Sequence, residues 1–225
     1  MKKIASIFMV FTLLLSLAAC SSNTNNTGTS SASQSSQPNS SQTVESDDSS
    51  TDSESSAPES EATQTGSKSL VAYFSWSGNT ENVAKSIQSQ TDSDIFEIVP
   101  ATPYSDDYDA VVDLAQAEQS EDARPAIADS IENIADYNVI YVGYPNWWGD
   151  MPMILYTFFD SYDFSGKTVA PFCTSGGSGL SDTVNAIKEL EPNAVVTEGL
   201  HIGSGASSNP DGAVSEWLSE IGLAK

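Results

Sequence analysis

Between Ser69 and Leu200, five short apolar runs recur, each followed by a turn and most by an amphipathic stretch. They are Ser69–Phe74, Ile95–Val99, Asn138–Tyr144, Thr168–Cys173 and Ala194–Leu200. Runs of this length, rich in β-branched and aromatic residues and bounded by Gly, Pro or Ser, read as buried strands. Asn138–Tyr144 is apolar almost throughout, as a central strand covered on both faces must be. Pro100 stops the second run. The stretches between them carry helical periodicity. Val83, Ala84 and Ile87 mark a helix starting near Thr80, and another is expected over 110–119. Ile127, Ile131 and Ile134 predict a second helix in the same crossover. Met151, Leu155, Phe158 and Phe159 follow the third strand, with Pro152 in the first turn. Leu180, Val184, Ile187 and Leu190 follow the fourth. Val214, Trp217, Leu218 and Ile221 form the last helix. Five strands alternating with helices predict an α/β fold, a doubly wound parallel sheet with helices on both faces.

The rest of the chain cannot join that core. Lys2 and Lys3 precede an apolar stretch from Ile4 to Leu17, which ends in Leu17-Ala18-Ala19-Cys20. The stretch is short for a membrane span, which needs ~20 apolar residues, and suits a signal peptide. Small residues directly before a cysteine resemble a bacterial lipobox, whose cysteine becomes the acylated first residue. Residues 1–20 are therefore expected to be a lipoprotein signal peptide, with lipidation at Cys20 and an extracytoplasmic, membrane-anchored protein as the outcome. Residues 21–68 are dominated by Ser, Thr, Asn, Gln, Asp and Glu, with too few apolar side chains to offset ordering entropy. A flexible coil of this length spans roughly 35–40 Å and reads as a tether. Residues 69–225 remain as one domain.

Charge narrows the partners. The chain carries a formal −23, and residues 69–225 hold 24 acidic residues against five basic ones, Lys85, Arg124, Lys167, Lys188 and Lys225. Such a domain repels nucleic-acid phosphates and anionic lipid and favours partners with basic patches. Contact with the membrane is expected through the lipid alone.

Ligands of doubly wound sheets sit beyond the carboxyl ends of the strands, where the strand order reverses. Three loops fall there. After the first strand comes Ser75-Trp76-Ser77-Gly78-Asn79-Thr80, running into a helix: neutral hydroxyls and free backbone N–H groups that can hold a terminal phosphate. Gly-x-x-x-x-Gly-Lys-Ser/Thr and Gly-x-Gly-x-x-Gly are both absent. After the third strand comes Pro145-Asn146-Trp147-Trp148-Gly149, whose adjacent indoles suit a planar ligand better than a core. After the fourth comes Thr174-Ser175-Gly176-Gly177-Ser178, poor in side chains and rich in N–H donors. Each alone reads as a turn; together they are specific.

Ser69–Leu190 resembles the flavodoxin-like family, in its branch with a Pro-x-Trp-Trp-Gly loop. Ser75, Ser77, Gly78 and Thr80 follow the family's Ser/Thr-x-Ser/Thr-Gly-x-Thr phosphate pattern. The resemblance implies a five-stranded sheet of order 2-1-3-4-5 and non-covalently bound FMN. Ser75, Ser77, Gly78, Asn79 and Thr80 would hold the phosphate. Pro145, Asn146, Trp147, Trp148 and Gly149 would line one side of the isoalloxazine, and Thr174, Ser175, Gly176, Gly177 and Ser178 would meet its polar edge. The last loop lacks the stacking tyrosine of well-known members, so the resemblance leaves open which face of the ring is covered. The implied role is electron transfer, as a low-potential carrier or a small flavin reductase, with either a redox partner protein or a small quinone or nicotinamide substrate.

No side chain need act as a catalytic acid or base in that role, and no metal is expected. His201, the sole histidine, reads as a sheet-end residue with a local hydrogen bond. Cys173 reads as a buried strand-end thiol, and Asp106–Asp109 as a solvated helix start. A hydrolase would need an elbow that Gly176-Gly177-Ser178-Gly179-Leu180 breaks at its last position. Two further functions are compatible with the three loops: an NAD(P)H-dependent FMN quinone reductase, and a non-redox surface module that kept the fold and lost the flavin.

Overall fold

A computed structural model describes residues 68–225, so the expectations for the signal segment, Cys20 and the tether lie outside the described residues. The elements run β1 (Ser69–Tyr73), α1 (Asn79–Thr91), β2 (Asp94–Glu97), α2 (Tyr108–Ser120), β3 (Val139–Pro145), α3 (Met153–Ser161), β4 (Thr168–Ser175), α4 (Thr183–Leu190), β5 (Val195–Val196), β6 (Leu200–Gly203) and α5 (Asp211–Glu220). The sheet is parallel, in the order β2-β1-β3-β4-β5, with β6 also paired to β4. This is the strand order that the resemblance to the flavodoxin-like family implies.

Side chains alternate across each strand, and the alternation divides the core. Leu70, Ala72, Ile140, Val142 and Tyr144 face one layer, against Ile154, Leu155, Phe158 and Phe159 of α3. Val71, Tyr73, Tyr141 and Phe172 face the other, against Val83 and Ile87 of α1 and Val214, Trp217 and Leu218 of α5. Both layers are buried, with these residues under 5% exposed. The sheet is thereby held rigid beneath its carboxyl edge, where the loops after β1, β3 and β4 emerge.

Two expectations are corrected. The helix predicted from Ile127, Ile131 and Ile134 is not formed; the segment is irregular, with a single 3-10 turn at Ile134–Asp136. The three isoleucines do pack against the core, but their backbone finds partners elsewhere. Ala101 N–H donates to Ala126 O (2.7 Å), Ala128 N–H to Val99 O (2.8 Å) and Ile131 N–H to the Tyr162 hydroxyl (2.7 Å). The periodicity reported burial, and tertiary hydrogen bonds decided the conformation.

The fifth strand is split. Val195–Val196 pairs with Thr168–Val169, while Leu200–Gly203 pairs with Phe172–Ser175. Between them sits Gly199, where an added Cβ would lie 3.0 Å from Leu180 and Val184 side chains, so the start of α4 and the loop before it press directly on the break.

Candidate functional site

The loop after β1 enters α1 through Gly78, whose φ of +80° is left-handed and costs a glycine little. This points the first-turn N–H groups of a 13-residue helix outward at the sheet edge. Ser75 Oγ is buried and has no hydrogen-bond partner in the protein. A buried hydroxyl left open costs free energy unless something bonds it. Beside it, Asn79 is clamped: its Nδ2 donates to Ser77 Oγ (3.1 Å), and Ser207 Oγ donates to its Oδ1 (2.7 Å). Thr80, 1% exposed, shares a 2.8 Å hydroxyl–hydroxyl bond with Thr174 at the end of β4. Glu81 in the first turn would oppose an anion, but Lys85 pairs with it one turn on. An orphaned hydroxyl at a helix tip, among neutral donors, fits a monoester phosphate.

After β3, Asn146 holds two loops together. Its N–H donates to Thr174 O (2.8 Å), its Nδ2 donates to Gly179 O (3.1 Å) and Ser181 Oγ (3.0 Å), and its Oδ1 accepts from Gly149 N–H (3.0 Å). Trp147 and Asp150 exchange backbone hydrogen bonds of 2.9 and 3.1 Å around Trp148 and Gly149, both at positive φ (56° and 83°). Left-handed backbone is costly for a tryptophan and gathers at functional sites. Trp148 stays there with 52% of its surface exposed, its indole N–H donating to Val112 O in α2 (3.1 Å). Trp147 turns the other way. Its ring meets Phe74 and Tyr104 edge-on, each at 5.4 Å. The adjacent indoles therefore divide their work: Trp147 is both core and cavity wall, and Trp148 is cavity wall and rim.

After β4, the five residues also divide. Thr174 and Ser175 still belong to the strand, and their hydroxyls turn inward. Thr174 bonds Thr80, and Ser175 Oγ accepts from Gly177 N–H (3.2 Å) and Gly179 N–H (3.0 Å) while pairing with His201 Nε2 (2.8 Å). With two N–H groups already pointing at it, Ser175 Oγ is best placed to donate its proton to His201. His201 thus braces the glycine loop. Gly176 and Ser178 face the cavity.

These loops border a cavity of about 530 Å³. Trp76, Asn146, Trp147, Trp148, Gly149, Gly176 and Ser178 line it from the predicted loops. Trp76 joins it to the phosphate loop, and its indole N–H donates to Ser105 O (2.9 Å). The remaining wall is α2, through Tyr108, Val111, Val112 and Ala115. Sequence reasoning missed that wall, because Val111 and Ala115 at i, i+4 look like any buried helix face.

No charged side chain lines the cavity, and among the described residues no cluster of three or more His, Cys, Asp or Glu side chains could hold a metal. Burial pushes the Cys173 thiol up to about 12, so it is not a poised nucleophile. Burial also raises Glu118, whose carboxylate accepts from the Tyr104 hydroxyl (2.9 Å) behind Trp147. The chemistry on offer is binding: an aromatic slot edged by Gly176 and Ser178 and joined through Trp76 to the hydroxyl-rich tip of α1, whose Ser75, Ser77, Gly78, Asn79 and Thr80 do not line the slot.

Residues 68–221 match the family model for Flavodoxin. Among solved structures, the chain is similar to a candidate flavoprotein of Bacteroides eggerthii at 35% identity and a TM-score of 0.63, covering 69% of this chain and 98% of that one. It is similar to another from Bacteroides uniformis, at 34% identity and 0.62, over 68% and 99%. A flavoprotein of Lactobacillus acidophilus, solved in complex with FMN, matches at 28% identity and 0.54, over 67% and 98%. No curated protein matches the chain.

Proposed function

Because the chain belongs to the flavodoxin family, we propose that it binds FMN non-covalently at the three loops and transfers electrons outside the membrane, tethered through a lipid on Cys20. The observation that carries the binding is the buried, unpartnered Ser75 hydroxyl at the tip of α1, next to a neutral, aromatic-walled cavity of about 530 Å³. That volume is within the range of small-molecule sites, about 300–1,000 Å³. Ser75, Ser77, Gly78, Asn79 and Thr80 hold the phosphate, the Trp147–Trp148 turn takes the ring, and the backbone of Gly176–Ser178 meets its polar edge.

Bound FMN supplies the redox chemistry; the protein positions it and sets the cost of charge. With 24 acidic and five basic residues in 69–225, the domain disfavours added negative charge on the ring, which lowers the reduction potential. The same field favours a redox partner bearing a basic patch. The lipid anchor rests on the Lys2–Lys3, apolar and Leu17-Ala18-Ala19-Cys20 sequence.

Titrating the purified mature protein with FMN tests this. Flavin fluorescence should quench on binding at one equivalent, and no quenching with folded protein would end the proposal. Steady NADH oxidation by the loaded protein would make it a reductase, and none would make it a carrier. Palmitate labelling that Cys20→Ala abolishes would establish the anchor.

A further inference from the structure

The glycine loop after β4 carries no aromatic side chain, yet aromatic residues reach the cavity from two other places. One is the Trp147–Trp148 turn. The other is α2, which no phosphate or flavin motif includes. Tyr108, the first residue of α2, lines the cavity with 67% of its surface exposed. Its ring stands 6.1 Å from that of Trp76, tilted by 50°, so it stands beside the phosphate loop. One and two turns further on, Val111 and Ala115 offer the cavity a small apolar face. Large exposed aromatic rings beside a slot of this size are surface waiting to be covered.

The attachment of α2 points the same way. Only Val111 and Ala115 of its 13 residues are buried. Polar links also tie it: Trp148 Nε1–H to Val112 O and the Tyr104 hydroxyl to Glu118 reach the helix itself, and Trp76 Nε1–H to Ser105 O holds the loop that leads into it. Two of the three come from the loops assigned to the cofactor.

Resting on the FMN reading above, we propose that α2 is a flavin-binding element and that Tyr108 closes over the isoalloxazine face left bare by the tryptophan turn. Tyr108 does what the glycine loop has no side chain to do, from a helix distant in sequence. It is a binding residue with no proton-transfer role, so its ring matters and its hydroxyl does not.

Three variants of the full mature protein test this by FMN titration: Tyr108→Ala, Tyr108→Phe and Leu114→Ala, the last at an exposed position of α2 that does not line the cavity. Tyr108→Ala should weaken FMN about tenfold, the scale of one lost aromatic stack with its buried area. Tyr108→Phe and Leu114→Ala should stay within about twofold. Riboflavin, which lacks the phosphate, should show the same loss with Tyr108→Ala, because the defect lies at the ring. Nitration gives a second readout: FMN should protect Tyr108 in the unmodified protein, and inorganic phosphate alone should not. If that protein binds FMN but Tyr108 stays open to nitration, or Tyr108→Ala binds as tightly, this assignment falls while the FMN reading stands. If the unmodified protein binds no FMN, the reading beneath it falls first.

Discussion

The cradle after β1 and the aromatic wall meet at Trp76, yet they are assembled differently. The cradle is six consecutive residues, Ser75–Thr80, fixed by hydroxyl and amide bonds such as Thr80 to Thr174 and Asn79 to Ser207. It sits directly on the strand-to-helix junction and moves only if the core moves. The wall draws on α2, the turn after β3 and the loop after β4. Its helix is held by two buried residues and a few polar links. A phosphate gains from a preformed cradle, since fixed dipoles need no reorganisation. A planar ring must enter and leave, and that suits a wall with less to hold it.

The largest blow to this contrast comes from Trp147, a wall residue that also packs against the core. Trp147→Ala should cost about 2–4 kcal/mol of stability, at the lower side of buried aromatic truncations because the residue is half-buried. Urea unfolding of the apoprotein reads this, and a loss below about 0.5 kcal/mol would make Trp147 mere lining.

Thr80→Val comes next. It leaves the Thr174 hydroxyl buried without its partner, which should cost about 1–3 kcal/mol. It should also narrow the preference for FMN over riboflavin, since the defect is at the phosphate end. Equal weakening of both ligands would blur the division between cradle and wall.

Trp148→Phe keeps a ring and deletes the N–H that reaches Val112 O. A loss of about 0.5–1.5 kcal/mol is expected. Amide exchange should quicken in Tyr108–Ser120 and stay unchanged in Asn79–Thr91. Uniform quickening would mean that wall and cradle open together.

The smallest effect is electrostatic. Burial raises the Glu118 carboxyl above its ordinary value, so the folded protein keeps that proton to higher pH than the unfolded chain. The contribution is full below about 4.3, the unfolded value, and is lost as pH rises from there through the folded one. Glu118→Gln should flatten that segment of the stability curve. A slope unchanged by the substitution would mean that Glu118 has no part in holding α2.

This contrast also marks what the sequence could disclose. The cradle was legible because a strand, a glycine and a helix start leave local traces in consecutive residues. So were the strand order's building blocks, since apolar runs report burial directly. Tyr108 and the Val111–Ala115 face were not legible, because a helix that borders a cavity has the same pattern as one that borders a core. Ile127, Ile131 and Ile134 failed for a related reason: their spacing follows the buried side, while Val99, Ala101 and Tyr162 took the backbone bonds. Ser175 and His201 show the remaining gap. Their pairing across neighbouring strands fixes a loop, and only the register of β6 brings them together.

The deeply buried Cys173 has an outcome of its own. Burial raises its pKa to about 12, so the sulfur stays protonated at neutral pH. Oxidants and alkylating agents must therefore wait for the chain to open. The pace at which a thiol reagent marks Cys173 would clock spontaneous excursions from the native state, with no dye or added label in the protein beforehand.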